Sequence, residues 1–126
     1  MGKREVMALL ERQLDQVVRI RADSLRSEIY DVLERSRDGR GRVYVRSGGR
    51  THQASAPGDP PARDSGRLQE SVKVKRQNSN SYTVGPDPEA FKNGFYPANL
   101  EFGTLHIAPR PFMRPALEQF KQKWRA

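Results

Sequence analysis

The side chains able to do acid–base or nucleophilic chemistry are few and scattered along the sequence. The only imidazoles are His52 and His106, there is no cysteine, and the acids worth weighing are Asp59, Asp64 and Glu101. Hydrolytic or acid–base chemistry needs a nucleophile beside a base, or two carboxylates sharing a pocket, and neither spacing occurs. Ser65-Gly66 lacks the GxSxG context of a nucleophile elbow, and Asp64 is better used as a helix cap. Missing cysteines exclude disulfides and thiolate metal sites, and two histidines without suitably spaced carboxylates do not make a zinc site. The sequence therefore predicts no enzyme, no cofactor and no metal, with both histidines as surface or packing residues.

What the sequence does offer is an uneven distribution of cations. The chain has 126 residues and a formal net charge of +8. Residues 1–38 hold eight Lys/Arg and eight Asp/Glu, so the whole excess lies beyond them. Residues 40–76 hold nine basic and three acidic side chains. Arg40, Arg42, Arg46, Arg50, Arg63 and Arg67 form the candidate docking patch, and Pro57, Asp59, Pro60 and Pro61 stiffen the segment that carries it. Such a patch could dock on acidic groups of a neighbour, meet DNA phosphates, or be a solvated loop surface. Any DNA contact would be non-specific, because neither a recognition helix nor an aromatic–basic platform occurs.

The elements that must position these groups can be read from periodicity. Residues 3–37 contain no Pro or Gly, and Val6, Leu10, Leu14, Val17, Leu25, Ile29 and Val32 recur at helical spacing. Leu9, Val18, Ala22 and Leu33 widen the stripe, and Gly39 and Gly41 are placed to stop the helix. Such a helix is about 50 Å long, too long for one small domain, so it either kinks or reaches a neighbouring subunit. Residues 42–47 (RVYVRS) alternate like a strand, and residues 47–66 form a Gly/Pro-rich segment with no period. That segment either orders on assembly or is a passive connection. Asp64-Ser65 could cap a short helix anchored by Leu68. Residues 71–76 and 82–85 flank NSNS as a hairpin, and residues 86–95 read as a loop. Residues 96–102 make one or two helical turns with Pro97 early and Gly103 beyond the end. Residues 105–112 are too proline-rich for more than an edge strand at their start. Pro115 opens a last helix whose Leu117, Phe120 and Trp124 share a face, with Phe120 and Trp124 expected to cover the sheet or to anchor in a neighbouring subunit.

The expected fold is α+β, with long N-terminal and C-terminal helices packed on a small antiparallel sheet and a long Pro/Gly-rich loop between. One domain is expected over residues 1–126, divided into a long helix (1–38), a strand and extended loop (39–66), and a hairpin, short helix and C-terminal helix (67–126). With 35% hydrophobic and 30% charged residues, the chain is polar for one that folds alone, and neighbouring subunits are expected to supply part of its order. Charges interrupt the apolar residues from the start, so neither a signal peptide nor a membrane span is expected.

Three stretches carry a resemblance. The first is Ala56-Pro57-Gly58-Asp59-Pro60-Pro61-Ala62 with Asp64-Ser65-Gly66-Arg67-Leu68 and Ser71; the second is Tyr96-Pro97-Ala98-Asn99-Leu100-Glu101-Phe102-Gly103-Thr104. The third is Pro109-Arg110-Pro111-Phe112-Met113-Arg114-Pro115-Ala116-Leu117. In this order the sequence resembles the small neck and tail-completion proteins of long-tailed bacteriophages, a family related to the lambda-type minor tail protein Z. The resemblance implies a structural virion protein, a homo-oligomeric ring of six subunits at the head–tail junction. It implies the head connector or adaptor and the tail tube as partners, genomic DNA in the lumen as a further contact, and assembly in the cytoplasm of a bacterial host. It implies no membrane and no small-molecule substrate. Within these blocks Tyr96, Leu100 and Phe102 can pack on the sheet while Gly103 gives a sharp exit. The prolines form a strut that presses Phe112 and Met113 into a core or a neighbour. Arg110 and Arg114 lie four apart and could pair with Glu101. From the residues alone a different class also stays open: a small basic, non-specific DNA-binding protein that dimerises through its long helix.

Overall fold

The computed structural model describes residues 2–36, 43–45, 51–53, 57–61, 66–92 and 96–124. With nothing to break it, α1 runs uninterrupted over Lys3–Arg35. It ends two residues short of the expected limit, at Ser36. There the Ser36 N–H donates to Val32 O, one of the carbonyls at the helix end, and its hydroxyl donates to Pro61 O at 2.8 Å with Leu33 O also within reach at 3.2 Å. The expected stop glycines, Gly39 and Gly41, lie outside the described residues.

Two hairpins come next. The first pairs β1 (Val43–Val45) with β2 (Thr51–Gln53), Tyr44 opposite His52. Strand β2 corrects the reading of residues 47–66 as free of regular structure. A short helix, α2 (Arg67–Glu70), begins from Gly66 at φ 81°. Gly66 therefore holds the capping position expected of Asp64-Ser65, which lie outside the described residues. The second hairpin, β3 (Val72–Asn78) and β4 (Ser81–Pro86), sets Val74 opposite Val84 and Arg76 opposite Tyr82. Its turn uses Asn80 at φ 64°, a left-handed position that Asn tolerates better than most residues. Residues 86–95, expected as loop, contain a 3-10 turn over Pro88–Ala90 capped by the Asp87 side chain. Then come α3 (Tyr96–Phe102) and α4 (Met113–Trp124), with Pro115 tolerated inside the first turn of α4. Residues 105–112 hold no edge strand.

The fold is α+β, with α1 and α4 packed on the small antiparallel sheet of β3 and β4. Ile29, Val32 and Leu33 of α1 meet Val72 of β3 and Phe112 and Ala116 at the start of α4. Leu25, Leu68, Val84, Leu100 and Met113 close the margins. Each large side chain buried here contributes about 1.5–3 kcal/mol. Helix α4 runs antiparallel to α1. Arg35 Nη2 donates to Gln119 Oε1 (2.8 Å), Lys123 pairs with the buried Glu28, and Arg21 sits 5.0 Å over the Trp124 ring. Phe120 and Trp124, 6.0 Å apart, thus turn toward α1 and not toward the sheet as their spacing suggested.

Candidate functional site

The second and third sequence blocks fold into one closed unit. Gly103 ends α3 at φ 76°, where an added Cβ would lie 2.8 Å from Ile107 O and 2.9 Å from Pro109. Only glycine fits that approach. Thr104 N–H donates to Ile107 O (2.8 Å), while Thr104 Oγ accepts from the N–H groups of His106 and Ile107. The chain then returns, and Arg110 N–H donates to Leu100 O (2.6 Å).

Glu101 anchors the start of α4. One carboxylate oxygen accepts from the N–H groups of Phe112 (2.9 Å) and Met113 (2.8 Å), and the other from Arg114 N–H (3.2 Å). These are orphan donors of the helix's first turn, where the dipole also favours a negative charge. Glu101 therefore acts as a helix cap supplied from another element, in place of the side-chain pairing with Arg110 or Arg114 that the spacing suggested. Arg110 Nη1 reaches Ala108 O (3.2 Å) and the Arg114 side chain is exposed. Pro111 is half-buried, as is Pro115.

The first block joins the same unit. Gly58 N–H donates to Pro109 O (2.9 Å), and the Ser36 hydroxyl holds Pro61 O (2.8 Å). Pro61 is buried and Pro60 half-buried, whereas Pro57, Asp59 and Arg67 are exposed. Arg40, Arg42, Arg46, Arg50 and Arg63 of the expected docking patch lie outside the described residues.

The family-motif residues divide into two groups. Phe112 is 1% exposed, and Leu100 and Met113 pack beside it. Phe102, expected in the same body, is instead 70% exposed, and Tyr96 is partly exposed against Phe91 at 5.3 Å. Leu105, at the loop tip, is 98% exposed, and Ile107 is also exposed. Phe102, Leu105 and Ile107 form an apolar knob on a hydrogen-bonded loop.

A second apolar surface lies on α1. Asp15 grips the tip of the β3–β4 hairpin: Oδ1 accepts from Asn80 N–H (3.1 Å) and Arg76 Nε (3.4 Å), and Oδ2 from the Tyr82 hydroxyl (2.8 Å). The Asn80 N–H, the Tyr82 hydroxyl and the Arg76 guanidinium hold the Asp15 carboxyl below its ordinary value. Beyond this clamp, residues 3–14 continue for about 18 Å. Val6, Met7, Leu9, Leu10, Leu14, Val17 and Ile20 are 40–59% exposed. Their helical spacing is in the sequence; that they stay this exposed among the described residues is not.

Between α1 and the outer edge of β3 runs a groove of about 850 Å³. Arg19, Arg26, Lys73 and Arg76 line it, interleaved with Asp15, Asp23 and Glu70. Arg26 Nε is already bound to Val72 O (2.9 Å). Alternating signs give this groove no continuous cationic track for a phosphate backbone. Asp87 closes the far end of the sheet, with Lys73 and Lys75 at 3.2 and 3.3 Å. The Glu89 N–H first, then Lys73 and Lys75, lower the Asp87 carboxyl against the effect of burial. Among the described residues no group of His, Asp and Glu has metal-binding geometry, and no helix is long and apolar enough to cross a membrane. No family model, curated protein or solved structure matches the chain.

Proposed function

We propose that this chain is a non-enzymatic virion protein of a long-tailed bacteriophage, a subunit of a homo-oligomeric ring at the head–tail junction. The observation that carries the reading is the convergence of the three sequence blocks. Gly58, Glu101 and Pro109–Phe112, one from each block, close on one another: Gly58 N–H donates to Pro109 O, and the Glu101 carboxylate accepts from Phe112 N–H. Described residues of all three stretches therefore meet in one part of the fold, which supports reading them together. Two apolar surfaces left open on a small chain are what a subunit of a larger assembly carries. The ring body would be built from the helices and sheet, with loops docking on the head connector above or the tail tube below. Genomic DNA in the lumen would meet phosphate-directed cations only.

The test is mass by light scattering across protein concentration, with negative-stain imaging of the largest species. Closed rings, sixfold, support the reading. A compact dimer whose affinity for duplex DNA falls steeply with salt overturns it, in favour of a small DNA-binding protein that dimerises through α1.

A further inference from the structure

We infer that copies of this chain join head to tail, the loop carrying Phe102, Leu105 and Ile107 seating on the N-terminal half of α1 of the next copy. The inference rests on the ring reading only in taking a second copy as the occupant.

The receiving surface has the form of an unfilled seam. Met7, Leu10, Leu14 and Val17 alternate by three and four residues, the spacing of a helix seam that expects a partner. At about 100° per residue they fall within roughly 80° of one another, and Arg21 and Glu28 continue the same line. Those two residues receive Trp124 and Lys123 of α4. One half of this face is therefore covered by α4 and the other half, beyond Trp124, is open. Met7, Leu10, Leu14 and Val17 stand 47–55% exposed in one line, a contiguous apolar stripe of the kind that marks an interaction surface on a soluble protein.

The inserting surface is already shaped. The turn at Gly103 and the hydrogen bonds of Thr104 hold the loop, so little conformational entropy remains to be lost on docking. Leu105 has no packing role within its own chain, since it is almost wholly exposed. The Ser36–Pro61 and Gly58–Pro109 hydrogen bonds place the loop near the C-terminal end of α1. The seam lies more than about 25 Å away along the same helix. Two different surfaces at opposite ends make a heterologous contact, the kind that closes into a ring when the rotation per subunit allows.

Charge argues against the obvious alternative, two α1 helices pairing through the same seam. An antiparallel pair matching Met7 with Val17 and Leu10 with Leu14 sets Lys3 against Arg21 and Glu11 against Glu11. A parallel in-register pair sets Lys3 against Lys3 and Arg21 against Arg21. Both arrangements also leave the knob in water, whereas the knob-to-seam contact covers both surfaces with one kind of partner.

The experiment uses two variants of the full chain, Leu105→Glu and the double variant Leu10→Glu/Leu14→Glu, with circular dichroism to verify that each keeps the parent's helix content. Mass is followed by sedimentation velocity for parent, variants and their equimolar mixture. Each variant alone is expected to stay at the 14.4 kDa monomer, with association weakened roughly tenfold or more. The mixture is expected to recover a dimer and nothing larger, because one intact knob and one intact seam remain. If Leu105→Glu associates like the parent while the seam variant does not, the head-to-tail contact is overturned in favour of helix pairing, and the ring reading is untouched. A mixture that stays monomeric, or a parent still monomeric near about 1 mM, overturns the contact as well. The phage reading falls separately, on salt-sensitive duplex binding by a parent dimer.

Discussion

Replacing Glu101 tests whether the blocks are held by a cap or by an ion pair. In the wild-type chain its two oxygens take three backbone N–H groups of α4 at 2.8–3.2 Å. A lost N-cap costs about 0.5–2 kcal/mol, and a carboxylate at a helix start adds about 0.3–1 kcal/mol through the dipole. Because Phe112 is buried and Met113 half-buried, water replaces the lost partner poorly at the first two donors. Glu101→Ala is therefore expected to destabilise by about 2–3 kcal/mol, read as a shift in urea midpoint at unchanged slope. Glu101→Gln keeps one acceptor oxygen and is expected to cost about half as much. The Arg114→Ala change, which leaves the cap intact, is expected to cost under about 0.5 kcal/mol. Suppose instead that Glu101→Gln matches Glu101→Ala, that Arg114→Ala matches both, and that 1 M salt (a Debye length of about 3 Å) erases the differences. The carboxylate would then act as an ion-pair partner, and the capping account would be refuted.

The same unit gives a sharper backbone test. Gly103→Ala places a methyl against Ile107 O and Pro109 at 2.8–2.9 Å in a left-handed conformation, and a loss of at least about 2 kcal/mol in thermal or urea unfolding is expected. Phe112→Ala empties the centre of the core and should cost about 3–5 kcal/mol, measured in the same way; a loss below about 1 kcal/mol would place the core elsewhere. Acid stability depends on Asp15 and Asp87, whose folded carboxyls lie below the ordinary 3.8. Between the folded and unfolded values the unfolded chain binds the extra protons, so stability is full above about pH 4 and falls as pH drops through that window. The double variant Asp15→Asn/Asp87→Asn should flatten this limb of a stability–pH curve; an unchanged limb would assign it to other carboxylates.

Much of this fold was legible because its signals are local. The run without Gly or Pro made α1 certain, and NSNS between alternating segments marked the β3–β4 hairpin. Strand β2 was not legible, since Thr-His-Gln has no apolar alternation and is a strand only through its pairing with β1. The Glu101 cap escaped because its donors lie 11–13 residues ahead, far beyond the three-residue spacing of a capping box. Phe102 was misplaced because its position two residues after Leu100 turns it about 200° round a helix of two turns. Leu100 took the core and Phe102 took the solvent. For α4 the stripe was right only in part: Ala116 is its buried residue, and Leu117 and Trp124 stand 38% and 44% exposed. Phe120 and Trp124 turn to α1 and not to the sheet, because a stripe does not record what covers it. The openness of the α1 seam has the same origin, for the spacing of Met7, Leu10, Leu14 and Val17 is the same whether the cover comes from this chain or another.

The overhang of α1 also sets a gradient of order along one helix. From Ser24 onward its hydrogen bonds are backed by packing against β3, β4 and α4, and breaking them means breaking the core. Before the Asp15 clamp, residues 3–14 rely on helix propensity, and an isolated helix of that length is marginal in water. Amide exchange should therefore slow progressively from the tip toward the core. A second copy that binds the tip must also complete its ordering, so binding and the helix–coil balance share one free energy. Exchanges that favour helix on the solvent side of the tip, far from any contact, would then tighten assembly, and a glycine there would loosen it without touching the interface.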